Sequence, residues 1–264
     1  MPEDTLSIFG TVSATKLVFA GGFFLTLFIV ERVAAAATPP KSKARLFRNF
    51  GLWALILLLS PLIVAPMTAL GANALLWERP EAWSQGAAFA ATLAADLILL
   101  DLWAYWLHRA YHVVPVLSRF HRVHHLDEFL DTTSAFRFHI GEVVFSAAVR
   151  LIPIALLAVP LTHVVVFETL LLAAAIFHHS NVRLPARVEA LLSRVIVTPS
   201  IHWVHHHAVT ADTNSNYAAI FSIWDRIFAT RSGTHRTLEM KIGLEAIEDK
   251  PLLRLILSPL MRNG

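Results

Sequence analysis

Eleven of the 14 histidines fall in four short windows: HRAYH (108 to 112), HRVHH (121 to 125), HH (178 to 179) and HWVHHH (202 to 207). Neutral imidazole is the commonest metal ligand among side chains. On a helix, residues three and four apart share a face. His108 and His112 therefore make one ligand pair, His121, His124 and His125 make a triplet, and His202, His205 and His206 repeat that triplet's spacing. So many imidazoles exceed the four ligands of one tetrahedral zinc and suit two metal ions. Ligand type alone does not choose the metal, because imidazole serves zinc, iron, copper and nickel. The chain has no cysteine, which excludes thiolate sites and iron-sulfur clusters.

The rest of the chain must hold these windows together, and its composition says where. Hydrophobic residues make up 56% of 264, only 16% are charged, and mean hydropathy is +0.58, values that belong in a bilayer. Three segments, about 8 to 30, 50 to 70 and 86 to 107, reach the roughly 20 apolar residues of a span. A fourth apolar region, about 143 to 177, contains Pro153 and Pro160 and predicts a helical hairpin turning near Pro160. The fold expected is all-α: a multi-pass transmembrane bundle of three long spans plus a hairpin, carrying a histidine-rich helical cap. The N-terminus begins acidic rather than with a basic signal-peptide region, so its apolar stretch is expected to be a retained span.

Lysine and arginine bias orients the bundle. The loop after the first span carries Arg32, Lys41, Lys43, Arg45 and Arg48 against Glu31, whereas the loop from about 71 to 85 has only Arg79 beside Glu78 and Glu81. The first loop is then cytoplasmic, and tracing onward puts every histidine window on the cytoplasmic face. Pro115 separates the first two windows, which lets two helices face each other. Trp77 and Trp83 at one end, and Trp103 and Trp106 at the other, suit aromatic belts. Stretches 184 to 197 and 251 to 260 are expected to lie on the membrane surface. The absence of repeats and linkers predicts a single domain, 1 to 264, with a core over 96 to 231. A net charge of +3 without basic, aromatic-interleaved stripes predicts no nucleic-acid partner.

The windows, together with FRFH..E (136 to 142), HHSNVRLP (178 to 185), TPSIHWVHHH (198 to 207) and NYAAIFSIWDRIFAT (216 to 230), resemble the fatty acid hydroxylase superfamily, also called the sterol desaturase family. The resemblance implies an integral-membrane non-haem di-iron oxygenase that hydroxylates or desaturates a C–H bond of a lipid with O2. Its implied metal ligands are His108, His112, His121, His124, His125, His179, His202, His205 and His206, holding two irons. The chain lacks flavin, dinucleotide and cytochrome b5 signatures, so electrons are expected from a separate protein of ferredoxin or cytochrome b5 type. Ile140, Ala218 and Ala229 stand where the family pattern often has Pro, Gly and Gly, which bears on turns rather than on ligands.

Other polar residues are candidates for support. His178 and His207 are extra histidines beside the pattern, and His139 with Glu142 matches a family position; each is an additional ligand or an orienting partner. Asp101 lies two helical turns before His108 and could accept a ring N–H; Asp225 belongs to the WD pair at 224 to 225. Asp96, His163 and His235 carry no expected chemistry. A zinc-dependent membrane hydrolase is the alternative function for the same histidines, distinguished by activity without O2 or reductant. A haem-binding carrier and a metal transporter are further rivals, although a transporter would place ionisable residues at the midplane of several spans.

Overall fold

The computed structural model describes residues 3–73 and 75–261, apart from the side chains of residues 3–17, 65, 69, 72 and 73. Its long helices follow the apolar runs: α1 (Glu3–Val33), α2 (Ala44–Asn73), α3 (Gly86–Val113), α5 (Ile140–Leu157) and α6 (Leu161–His179), with α4 (Pro115–His125) between α3 and α5. Short helices follow: α7 (Ala186–Leu192), α8 (Pro199–His205), α9 (Thr210–Thr213), α10 (Ile223–Ile227) and α11 (Leu252–Leu257). Among the described residues there is no strand beyond three isolated bridges, and four helices are long and apolar enough to cross a membrane: α2, α3, α5 and α6. The span expected over 8 to 30 lies within α1, although the side chains of its first half fall outside the described residues.

Local chemistry sets the breaks. Pro115 occupies the first turn of α4, where its missing N–H costs nothing. The hairpin turns at Ala158, which takes a left-handed conformation at φ 48°, and Pro160 then caps α6. Thr198 and Pro199 open α8.

Two polar clusters brace the bundle. Beneath the cap, Arg137 donates to Val123 O, Asn49 Oδ1 and Asp249, while Arg45 pairs with Asp127 and Asp131, so the start of α2 is bolted to the 127–137 segment. At the opposite end, Arg79 makes a two-pronged bond to Asp96 at 2.8 Å and donates to Leu157 O, and Asp96 also receives His163 Nδ1 at 2.7 Å. His163, expected to stand alone, is therefore tied across α3 and the α5–α6 turn.

Two surface expectations need correction. Helix α7 covers only Ala186–Leu192 of the stretch expected over 184 to 197, because the chain turns at Ser193 to bridge Ile196 with Phe221; Val188, Leu191 and Val195 nonetheless stay exposed. The tail is not simply surface-bound, because Leu255 of α11 is fully buried against Leu52, Val123 and Leu126.

Candidate metal centre

Helix geometry delivers the imidazoles, and their division differs from the sequence grouping. Donor nitrogens of His108, His112, His121, His125 and His205 all lie within 4.8 Å of one another, and those of His124, His179, His202 and His206 form a second such group. Each triplet is split. His121 and His125, one turn apart on α4, join the first group while His124 joins the second. His202 and His206 join the second while His205 crosses to the first. Each triplet thus gives an i, i+4 pair to one group and its middle member to the other. All nine expected ligands are brought together.

The ring orientations are set from behind. His108 Nδ1 donates to Tyr217 O at 2.8 Å, His121 Nδ1 to Glu142 Oε1 at 2.8 Å, His124 Nδ1 to Arg137 O at 3.0 Å, His179 Nδ1 to Ala175 O at 2.7 Å and His205 Nδ1 to Ser215 O at 2.6 Å. An imidazole that donates from Nδ1 presents a bare lone pair at Nε2. Yet His108 Nε2 and His121 Nε2 approach to 3.1 Å, as do His124 Nε2 and His179 Nε2. Two lone pairs facing at that distance repel unless a cation lies between them. Nitrogens about 2.1 Å from one ion on neighbouring coordination positions stand about 3 Å apart, so the residues fit a metal. The buried Nε2 atoms of His112 and His205, which meet no hydrogen-bond partner, point to the same conclusion.

Electrostatics agree. Burial, reinforced by neighbouring imidazoles, holds His125, His202 and His206 well below the usual histidine range, as it does His124 despite the Arg137 carbonyl, and burial pushes His205 down to about 3. These groups are neutral donors at physiological pH, the state a metal requires. A cavity of about 160 Å³, lined by Tyr111, His112, His121, His125, Arg122 and Asn214, reaches the first group.

The supporting candidates divide. Glu142 sits behind His121, as an orienting partner does. His139 instead caps α5, accepting from Gly141 N, and donates to Ile256 O. His207 pairs with Asp212 at 2.8 Å. His178 is buried, its ring 4.0 Å from that of His202, but it lies outside both nitrogen groups. Asp101 receives no imidazole N–H: it accepts from Ile220 N, Phe221 N and the indole Nε1 of Trp224, because its helix face looks onto the returning 220–224 segment. Asp225 accepts from Tyr217 N, Ala218 N and Thr230 Oγ1, and so holds the carbonyl that orients His108. The carbonyls of Tyr217, Ser215, Arg137 and Ala175 were not foreseen, since a backbone oxygen leaves no residue-type signal.

A family model described as fatty acid hydroxylase matches residues 93–230, more than half of the chain. The chain is 29% identical over 206 residues to ornithine lipid hydroxylase OlsE of Rhizobium tropici, covering 77% of this chain and 60% of that protein. It is 34% identical over 131 residues to alkylglycerol monooxygenase of Danio rerio, covering 50% and 28%, and 28% identical over 141 residues to human lathosterol oxidase, covering 52% and 43%. The chain therefore spans 60% of the first of these relatives and less than half of the others. No solved structure matches it.

Proposed function

The chain belongs to the fatty acid hydroxylase family, and from that premise we propose that it is a membrane oxygenase that uses O2 and external electrons to hydroxylate or desaturate a lipid C–H bond. The observation that carries the reading is the pair of converging Nε2 contacts, His108 with His121 and His124 with His179, each at 3.1 Å and each with its Nδ1 protons committed elsewhere. On this reading His108, His112, His121, His125 and His205 hold one iron, and His124, His179, His202 and His206 the other. The metal pair supplies O2 activation strong enough for an unactivated C–H bond.

The chain's own residues do the rest. Glu142 and four backbone carbonyls lock five rings with Nε2 inward, so the donors need no reorganisation. The cavity beside His112 and His125 gives reactants a route from the cap. Histidines at the ends of α3, α4 and α6 put the chemistry where a lipid arriving from the bilayer meets a reductant arriving from water, with the cap on the cytoplasmic side by the arginine and lysine bias. The electron donor is a separate ferredoxin or cytochrome b5 type protein.

The names of the relatives, an ornithine lipid hydroxylase, an alkylglycerol monooxygenase and a lathosterol oxidase, support a membrane lipid as substrate. The test is metal analysis of protein purified from iron-supplemented cells, followed by mass spectrometry of lipids incubated with O2 and a reductant. About two irons per chain and O2-dependent gain of oxygen or loss of hydrogen support the reading. Turnover without O2 or reductant points to the zinc hydrolase instead, and a chain that retains no metal sinks both.

A further inference from the structure

Along two segments the cap turns its acids inward and its arginines outward. In 183–195 the one acidic residue, Glu189, accepts from Thr198 Oγ1 and buries its second oxygen, whereas Arg183, Arg187 and Arg194 are exposed. In 222–231 the one acidic residue, Asp225, is buried on the amides of Tyr217 and Ala218, whereas Arg226 and Arg231 are exposed. Large apolar side chains stand uncovered among these cations: Val188, Leu191 and Val195 on the first segment, Ile223 and Ile227 on the second, each between 40% and 66% exposed. Water solvates the arginines well and the aliphatic groups poorly, so this surface is only half matched to an aqueous surrounding.

Hydrogen bonds join the two segments into one surface. Ser222 N donates to Val195 O at 3.1 Å, Ser222 Oγ to Ser193 O at 2.8 Å, and the Arg226 guanidinium to Arg194 O. The surface also has a fixed level in the molecule. Trp224 Nε1 donates to Asp101 at 2.8 Å, and Phe228 meets the exposed Trp106 edge-on, ring centroids 4.9 Å apart. Helix α10 therefore lies alongside the final turns of α3, one of the helices long and apolar enough to cross a membrane. Tryptophans at the end of a span sit at the depth of the lipid headgroups.

We propose that the joined α7–α10 surface is a binding site for anionic phospholipid. Its aliphatic side chains enter the boundary between headgroups and acyl chains, and its arginines meet the phosphates of lipids with net negative charge. Charge decides between lipid classes: five exposed guanidiniums on segments whose two carboxylates are turned away favour an anionic headgroup over a zwitterionic one. The inference does not depend on the oxygenase reading, only on α3 being a span. It does bear on the metal centre, because the strand of chain between the surface and the donors carries the Tyr217 carbonyl that orients His108 and the Ile220 and Phe221 amides bound to Asp101. A leaflet that seats α10 holds that segment from outside.

The chain has no cysteine, so Leu191→Cys provides a single site for a fluorophore. The labelled full chain, with its metal as isolated, is placed in phosphatidylcholine nanodiscs carrying a small, equal fraction of either phosphatidylglycerol or phosphatidylcholine brominated near the headgroup end of its acyl chains. Bromine quenches only at close approach. At low salt the brominated phosphatidylglycerol is expected to quench at least about twofold more strongly, since each basic side chain at a membrane surface attracts anionic lipid. Raised salt is expected to bring the two lipids toward equality. Arg187→Gln combined with Arg194→Gln is expected to do the same, and the salt series decides the matter if that variant does not fold. Equal quenching by the two lipids at low salt overturns the proposal, as does a preference that survives both raised salt and the paired substitution. Quenching by neither lipid also overturns it, and assigns the face to a second copy of the chain or to a soluble acidic protein.

Discussion

The imidazoles of His125 and His206 stack 4.3 Å apart at an interplanar angle of 20°, although His125 belongs to the five-nitrogen group and His206 to the four-nitrogen group. Each is the last histidine of its triplet. The two groups therefore share a wall made of two stacked imidazoles. Truncating one of these rings leaves the other without its packing surface, so the two sites are coupled. His206→Ala is expected to lower bound metal from about two per chain to one or fewer, measured by elemental analysis, and to weaken the remaining metal's hold against a chelator.

Glu142 offers a cleaner separation of orienting from binding, because its carboxylate lies behind His121. Glu142→Gln keeps the shape and removes the charge. Loss of such a partner typically costs 10- to 100-fold in metal affinity, so chelator competition should show a drop of about that size with little change in the helical circular dichroism.

The depressed imidazoles make the metal-free protein acid-sensitive. For His205, the folded value of about 3 lies below the ordinary 6.5, so between them the unfolded chain binds the extra proton. This contribution to stability is fully present above pH 6.5 and is lost as pH falls toward 3. The thermal midpoint of the metal-free protein is expected to decline steadily below pH 6.5. Metal retention should decline with it, because protons compete for the same nitrogens.

At the opposite end of the bundle, Asp96→Ala leaves Arg79 without its two-pronged partner and His163 without its acceptor. Removing one side of a buried pair costs about 3–5 kcal/mol. A markedly lower thermal midpoint is expected, with an unchanged ratio of metal to folded protein, since this cluster does not touch the donor nitrogens.

Ala229 has φ 52°, a left-handed conformation that costs an L-residue about 1–2 kcal/mol. Glycine relieves that cost at a smaller price in chain entropy. Ala229→Gly is expected to raise stability by about 1 kcal/mol, read as a higher thermal midpoint.

The helical hairpin at Pro160, the break at Pro115 and the clustering of histidines on one face were legible because each depends on local spacing. The sharing of each triplet between two groups was not. On an isolated helix His121, His124 and His125 form one stripe; only the opposing α8 decides that His124 faces one group and its neighbours the other. Asp101 shows the same limit. Its face on α3 was readable from the spacing to His108, but a different segment, 220–224, arrives there. Glu142 and Asp225 were singled out by the family resemblance, whereas the task of each is set by the tertiary structure, which puts Glu142 behind His121 and Asp225 on the amides of Tyr217 and Ala218.

Glu31, at the end of α1, accepts from Thr132 N and Oγ1 and from Asn181 N, bonds that close loops of 101 and 150 residues. The donor nitrogens themselves are spread from His108 to His206. During synthesis, then, no early fragment of the chain can capture metal as the finished protein does. Contacts of such long sequence separation form slowly, after the entropy of closing large loops has been overcome. On the proposed reading, metal capture is consequently a late event in the life of the polypeptide, one that needs α3, α4, α6 and α8 already assembled around the donor nitrogens.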